Sequence, residues 1–407
     1  MSFQQGLSGL FAAGRNLEVI GNNVANASTV GFKGSRAEFA DVYANSVGSA
    51  GNVNVGIGTR LAAVAQQFNQ GNITSTGNPL DVAISGEGFF RVSAAGSIAY
   101  TRNGQFQLDK DGYIVTNTGA RLTGYPADDL GQIAPGAPGD LRISRGDLPP
   151  KITSDALAVM NLDARKGLLT AAGFDETDPS TYHGSTSLSV YDSQGGEHAV
   201  ALYFVKTAAN VWSVFGTADG TPIGAAALGQ LTFQPDGTLD TTATTLPFTM
   251  SIPLTTGAAT PLAIDLDFAG STQFGSTTTV NELTQNGYTS GKITGFTIGQ
   301  DGTILGRYSN GKTFAQGQIA LASFVNPQGL APLGGNLWGE TNTTGQPLVG
   351  SPASGSLGQL QGGALEDSNV DLTQELVNMI TAQRVYQANA QTIKTQDSVM
   401  QTLVNLR

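Results

Sequence analysis

The run most suggestive of chemistry is Gly306-Arg307-Tyr308-Ser309-Asn310-Gly311-Lys312-Thr313, which fits the phosphate-loop pattern G-x-x-x-x-G-K-[ST] letter for letter. In such a loop the backbone N–H groups wrap the phosphates, the lysine reaches the outer phosphates, and a helix opens at once so that its N-terminus faces the ligand. That context is missing here. Asn310-Gly311 is a hairpin signal, Phe314 onward has strand character, and Gly317 would interrupt a helix. No apolar run ending in a metal-binding aspartate follows. The motif predicts a hairpin rather than a nucleotide site. His183 and His198 are the only histidines and lack the i, i+4 spacing of a helical metal pair. Asp109-Lys110-Asp111-Gly112 opens like a calcium loop, but Ala120 stands where the bidentate Glu belongs. Gly56-Ile57-Gly58 is followed by Leu61 in place of the third glycine of a dinucleotide loop. There is no Gly-x-Ser-x-Gly elbow and no cysteine, so thiol nucleophiles, disulfides and thiolate metal sites are excluded. The expectation is no catalytic residue, no cofactor and no metal: not an enzyme.

Composition narrows the alternatives. At 407 residues two or three domains are expected. Charged residues make up 13%, about half the usual share, and the net charge of -11 argues against nucleic acid and against anionic membranes. No apolar run approaches the ~20 residues of a bilayer span. The first basic residue is Arg15, and the stretch before it is amphipathic rather than a secretory h-region. The chain is therefore expected to stay in the cytoplasm or to leave by a route without a cleaved peptide.

Only the two ends have helical periodicity. Phe3, Leu7, Leu10, Gly14, Leu17, Gly21 and Val24 follow an alternating 4/3 spacing, an a/d seam, with Phe11 and Ile20 beside it. Leu372, Leu376, Met379, Gln383, Tyr386, Ala390, Ile393, Asp397, Met400 and Val404 keep the same spacing, with Asp371 as N-cap and Gln374 completing a capping box. Between the ends the sequence reads as β. Strand-like runs are separated by Asp111-Gly112, Gln194-Gly195-Gly196, Asp236-Gly237, Asp301-Gly302 and Asn310-Gly311. The expected fold is mainly β with α-helical termini that pair in a coiled-coil-like layer. Residues 1–28 and 364–407 form the helical part and 29–69 an extended connector. Residues 70–146 and 286–358 form a discontinuous β domain, 147–285 a second β domain inserted into it, and 359–363 a linker.

The run Asn22-Asn23-Val24-Ala25-Asn26-Ala27-Ser28-Thr29-Val30-Gly31-Phe32-Lys33 reads first as a helix C-terminus, with Asn26 as a left-handed cap, Gly31 as a turn and Phe32 as an anchor. It also resembles the N-terminal signature of the flagellar axial proteins, the family of rod, hook and hook-associated subunits. The family pattern lies on Asn22, Asn23, Ala25, Asn26, Thr29, Gly31, Phe32 and Lys33. The resemblance continues at Gly77–Ile84, Gly86–Phe90 and Tyr100–Gly104. It ends at Leu365–Leu372, which includes Ser368, Asn369, Val370 and Asp371, and at Gln383–Ala390, which includes Gln383, Arg384 and Asn389. Tyr308–Gly311, Leu321–Phe324 and Asn326–Leu330 resemble the hook branch most.

The resemblance implies a tubular homopolymer, a flexible coupling that carries torque from motor and rod to filament. It implies location in the extracellular part of the flagellum and export without a cleaved signal. The implied partners are other copies of the chain, the distal rod protein, the hook cap, the hook-length control protein and the hook–filament junction protein. The seam residues Phe3, Leu7, Leu10, Leu17, Val24, Leu372, Leu376, Met379, Tyr386, Ile393, Met400 and Val404 are the expected assembly contacts. A distal rod or hook-associated subunit is the nearest alternative. A secreted β-rich adhesin would leave the helical ends unexplained.

Overall fold

The computed structural model describes residues 2–42, 56–128, 131–134, 136–144, 146–224 and 226–405. It divides into two compact units: Met1–Arg145 with Gly295–Arg307 and Thr313–Arg407, and Gly146–Thr294 with Tyr308–Lys312.

In the first unit both ends are helical, α1 (Ser2–Ala25) and α2 (Leu372–Asn405), and they pack antiparallel. Gly6 lies against Ile393 at one end of the pair, and the Asn23 amide donates to Glu375 Oε2 at the other. α2 starts at the expected N-cap, where Asp371 Oδ1 accepts from the N–H groups of Thr373 (2.8 Å) and Gln374 (3.1 Å). The reciprocal half of the capping box is not made. Gln374 donates instead to Asn378 Oδ1, its i+4 neighbour on the helix face.

Among the described residues of the expected extended connector, which leave out 43–55, β1 (Ser35–Val42) pairs antiparallel with β2 (Gly58–Gln66) as a hairpin, from Ser35↔Gln66 to Val42↔Gly58 with a register shift between Glu38 and Phe39. Pairing satisfies backbone groups that a lone extended segment would leave to water. The residues expected as a linker are strand as well. Gln359–Gly362 pairs with Val82–Ser85, and Ala364–Glu366 pairs with Ile73–Ser75. Gly362 there permits close approach: a Cβ on it would sit 3.0 Å from the Ile298 carbonyl oxygen.

The β part of this unit is discontinuous, as expected. Strands from the two halves of the sequence pair at Gln318↔Tyr125, Leu321↔Phe90 and Trp338↔Tyr100. Its aromatic core sets Phe68, Phe89, Phe324 and Trp338 edge to face, with centroids 5.4–5.9 Å apart.

The second unit is a β-sandwich. One sheet orders Phe248–Ile252, Leu262–Asp267, Asp155–Asn161 and Thr279–Gln285; the other is built on Gly184–Tyr191, Glu197–Ala208 and Val211–Ala218. Alternate residues of both sheets, among them Met160, Val200, Phe204, Trp212, Met250, Ile264 and Leu266, fill a shared core. The Trp212 indole N–H is satisfied by Gln273 Oε1 at 2.7 Å.

Candidate assembly surface

The motif after α1 positions the chain's two ends against each other. α1 ends at Ala25, but Asn26 does not take the left-handed conformation expected of it. Its N–H still bonds to the Asn22 carbonyl, and its side-chain amide returns to the same oxygen at 2.9 Å. The Thr29 hydroxyl donates to Asn26 Oδ1 (3.2 Å), so Asn26 tightens the turn through its side chain. The left-handed residue is Gly31, at φ +69°. A Cβ there would lie 2.6 Å from the Asn103 nitrogen, so only glycine fits. The Asn23 side chain then clasps Ser35 on both sides, accepting from its N–H (2.9 Å) and donating to its carbonyl (2.8 Å).

Asn369 performs the matching task from the C-terminal side. Its Oδ1 accepts from Gly34 N–H (2.8 Å), and its amide donates to the carbonyls of Gln67 (2.6 Å) and Asn69 (3.1 Å). Val370 packs on Gly34, and the Ser368 hydroxyl accepts from Val370 N–H.

Below these bonds lies a buried ionic cluster. Lys33 Nζ contacts Glu366 Oε1 at 2.6 Å and the Asn69 carbonyl at 2.7 Å, while Arg102 contacts Glu366 Oε2 at 3.1 Å. Burial pushes both the Lys33 ammonium and the Arg102 guanidinium below their ordinary pKa ranges, against the opposing pull of Glu366. Arg102 Nε is the only buried side-chain polar atom without a hydrogen-bond partner among the described residues. The sequence motif contains Lys33, but spacing alone gave Glu366 and Arg102 no role. A charge within each apolar-flanked motif was the available signal.

The helices meet where Gly6 and Gly9 of α1 receive Ile393 and Asn389 of α2, and Ala13, Ile20 and Ala382 are buried. The Asn389 side chain fills the notch at Gly9, where an added Cβ would meet its Oδ1 at 2.7 Å. Of the expected seam, Ile393 alone packs against a glycine of the partner helix. Phe3, Leu7, Leu372, Leu376, Tyr386, Met400 and Val404 are exposed, and Leu10, Leu17, Val24 and Met379 are half-buried. Gln383 and Arg384 are exposed too, and Ala25 lies outside the clasp. A groove of about 830 Å³ runs between the helices and the hairpin, lined by residues that include Ala13, Val19, Ile20, Asn378 and Ala382.

The enzyme-like motifs resolve into turns. Tyr308 N–H bonds to the Lys312 carbonyl and Gly311 N–H to the Tyr308 carbonyl, both at 3.0 Å, closing the hairpin expected there. Asp109 Oδ1 accepts from the N–H groups of Asp111 and Tyr113, spanning a turn rather than opening a calcium loop. Among the described residues no group of three or more His, Asp or Glu side chains is placed to hold a metal. His183 Nδ1 accepts from Lys206 N–H, and His198 lies between Asp219 and Asp192. Likewise, no described helix is long and apolar enough to cross a membrane.

Comparison with known proteins covers both ends and the β units. Residues 3–33 match the flagella basal body rod protein family, 83–156 the flagellar hook protein FlgE/F/G D1 domain, 161–288 the flagellar basal body protein FlaE D2 domain, and 361–406 the flagellar basal body rod FlgEFG protein C-terminal family. The chain is 44% identical to flagellar hook protein FlgE of Escherichia coli (strain K12), over the whole of both chains. It is likewise 44% identical over the full length of both to the protein of that name from Salmonella typhimurium. In fold it is similar to the crystal structure of Helicobacter pylori flagellar hook protein FlgE2, with a TM-score of 0.56 and 15% identity over 72% of this chain and all of that one.

Proposed function

The chain belongs to the flagellar hook protein family, and from that premise we propose that it polymerises through its paired ends into the hook, a tubular coupling that transmits torque from motor and rod to filament. It is a structural part and not an enzyme. One observation carries the mechanism: Gly6 and Gly9 of α1 receive α2, while large apolar residues of both helices, among them Phe3, Leu7, Phe11, Leu376 and Val404, stay exposed. Exposed apolar surface of this kind marks a contact with something else. Head-to-tail contacts that do not close on themselves generate an open helical tube.

In this reading the terminal helices form the inner layer and the β units the outer ones. A sparsely charged outer surface suits contacts that slide as the tube bends. Export without a cleaved signal, and contacts with the distal rod protein, the cap, the length-control protein and the junction protein, belong to the same reading. They rest on the family resemblance of the two ends. The test is assembly of the purified chain: hollow curved tubes should form without nucleotide, and deletion of residues 371–407 should abolish them. Normal tubes from the truncated chain would refute the role of the ends. Deletion of residues 147–285 should change the curvature or bending stiffness of the tubes.

A further inference from the structure

Helix α2 exposes two apolar patches that face away from each other. Near its start Leu372, Leu376, Val377 and Ile380 are 43–53% exposed, and near its end Val399, Met400 and Val404 are 47–72% exposed. The side of α2 that turns to α1 carries Asn389 and Ile393. Leu376 and Ile380 lie thirteen residues before those two, about three and a half turns, and so on the side away from α1. Met400 and Val404 lie seven and eleven residues after Ile393, about two and three turns, and so continue the side that faces α1. The stripe that takes a helix at Asn389 and Ile393 thus runs on, apolar and open, past them. No charge interrupts either patch: residues 398–405 carry none, and Glu375 is turned to the Asn23 amide at 3.4 Å.

We infer that this open end of the stripe takes the start of α2 from a second copy, Met400 over Leu376 and Val404 over Ile380. This rests on the self-assembly reading above. Both pairs need the same displacement along the helix, about 24 residues or ~36 Å. Copies in a tube whose helices run along its length share one orientation, so opposite sides of the helix must meet neighbouring copies. The two patches satisfy that requirement, lying about 150° apart around α2. The shortfall from a straight line is the turn that curves a row of copies into a wall. Because the patches differ, the contact is heterologous and repeats from copy to copy. A contact of either patch with itself would instead relate two copies by a half-turn and close a dimer.

The absence of native cysteine makes the register directly testable. A chain carrying both Leu376→Cys and Met400→Cys is assembled and oxidised. The expected result is a ladder of linked dimers, trimers and longer species, because each copy offers one thiol to each of two neighbours. A mixture of the two single variants should give dimers alone, and either single variant should give none. Tubes of the double variant without a ladder overturn the contact and leave self-assembly standing. If the unmodified chain forms no tubes, both fall. Exchange of charge provides a separate check. Leu376→Lys or Met400→Glu alone should keep monomer helicity by circular dichroism, since both side chains already meet water. Each should cut tube yield by about tenfold or more, because the contact would bury an unpaired charge. Both changes in one chain set the new carboxylate of one copy against the new ammonium of the next and should recover most of the yield. A double variant no better than either single one overturns the proposal.

Discussion

Lys33 Nζ sits 2.6 Å from Glu366 Oε1 across 333 residues of sequence, with both side chains fully shielded from solvent. The strand that carries Glu366 leads directly into α2, and Lys33 follows directly on the turn out of α1. Glu366 also holds Arg102, so one carboxylate faces two cations. Losing the carboxylate leaves two buried cations uncompensated, whereas losing Lys33 leaves an Arg102–Glu366 pair intact. Glu366→Gln should therefore destabilise the first unit by about 3–5 kcal/mol, and Lys33→Met by less. Amide hydrogen exchange resolved by unit would measure this, with the β-sandwich unchanged as internal control. A larger loss for Lys33→Met would contradict the arrangement.

Gly31 and Gly77 separate two costs that usually come together. Both have positive φ, +69° and +74°. A Cβ on Gly77 meets nothing within 4 Å, while one on Gly31 meets the Asn103 nitrogen at 2.6 Å and the Arg102 carbonyl carbon at 2.7 Å. Gly77→Ala should thus lose about 1–3 kcal/mol from backbone strain alone. Gly31→Ala should lose distinctly more, because the backbone it strikes cannot rotate away. Equal midpoints in denaturant titrations of the two variants would show the close approach at Gly31 to be unimportant.

These glycines also mark what the sequence could and could not disclose. The helical ends, the Asp371 cap, the hairpin turns and the split β domain were legible because each rests on a local pattern or on turn chemistry. The partners of Lys33 were not, since Glu366 and Arg102 come to it only through strand pairing between distant segments. The heptad pattern at the ends was real, but it did not say which face meets which helix. Gly6 and Gly9 admit Ile393 and Asn389 because they are small, and a search for large apolar residues passes over them. The segment at 359–363 looked like a linker because a glycine such as Gly362, which lets backbones approach, reads in sequence like a flexible one.

The outward faces of α2 predict a dissociation of stability from assembly. Leu376 is 43% and Val404 72% exposed, so Leu376→Ser and Val404→Ser should shift monomer stability by no more than about 0.5 kcal/mol. Their assembly should nevertheless require higher protein concentration. Ile393→Ser should do the reverse at first, loosening α2 from Gly6 and lowering monomer helicity. Sedimentation of polymer against concentration, set beside circular dichroism of the monomer, tests both. Unchanged critical concentrations for the Leu376 and Val404 variants would remove those residues from the contact.

The two histidines should titrate on opposite sides of the ordinary imidazole value. His198 Nδ1 lies 2.7 Å from Asp219 Oδ2 and its Nε2 3.4 Å from Asp192 Oδ2, and the hydrogen bond to Asp219 raises its pKa above 6.5. His183 is instead lowered, by burial first and by the nearby Lys166 charge. For His198 the folded value exceeds the unfolded one. Its stabilising contribution is therefore complete below the unfolded pKa and is lost as pH rises through the folded pKa. Asp219, held low by the same hydrogen bond, contributes above the unfolded carboxylate range and loses that contribution in acid. The His198 contribution therefore favours the second unit near pH ~6 over pH ~9, while the lowered His183 contributes in the opposite sense. His198→Gln should remove the His198 part of the pH dependence without changing the His183 titration. Nuclear magnetic resonance of the two imidazoles against pH reads both values at once. If His183 proves the more basic of the pair, the carboxylate clasp around His198 does not operate in solution.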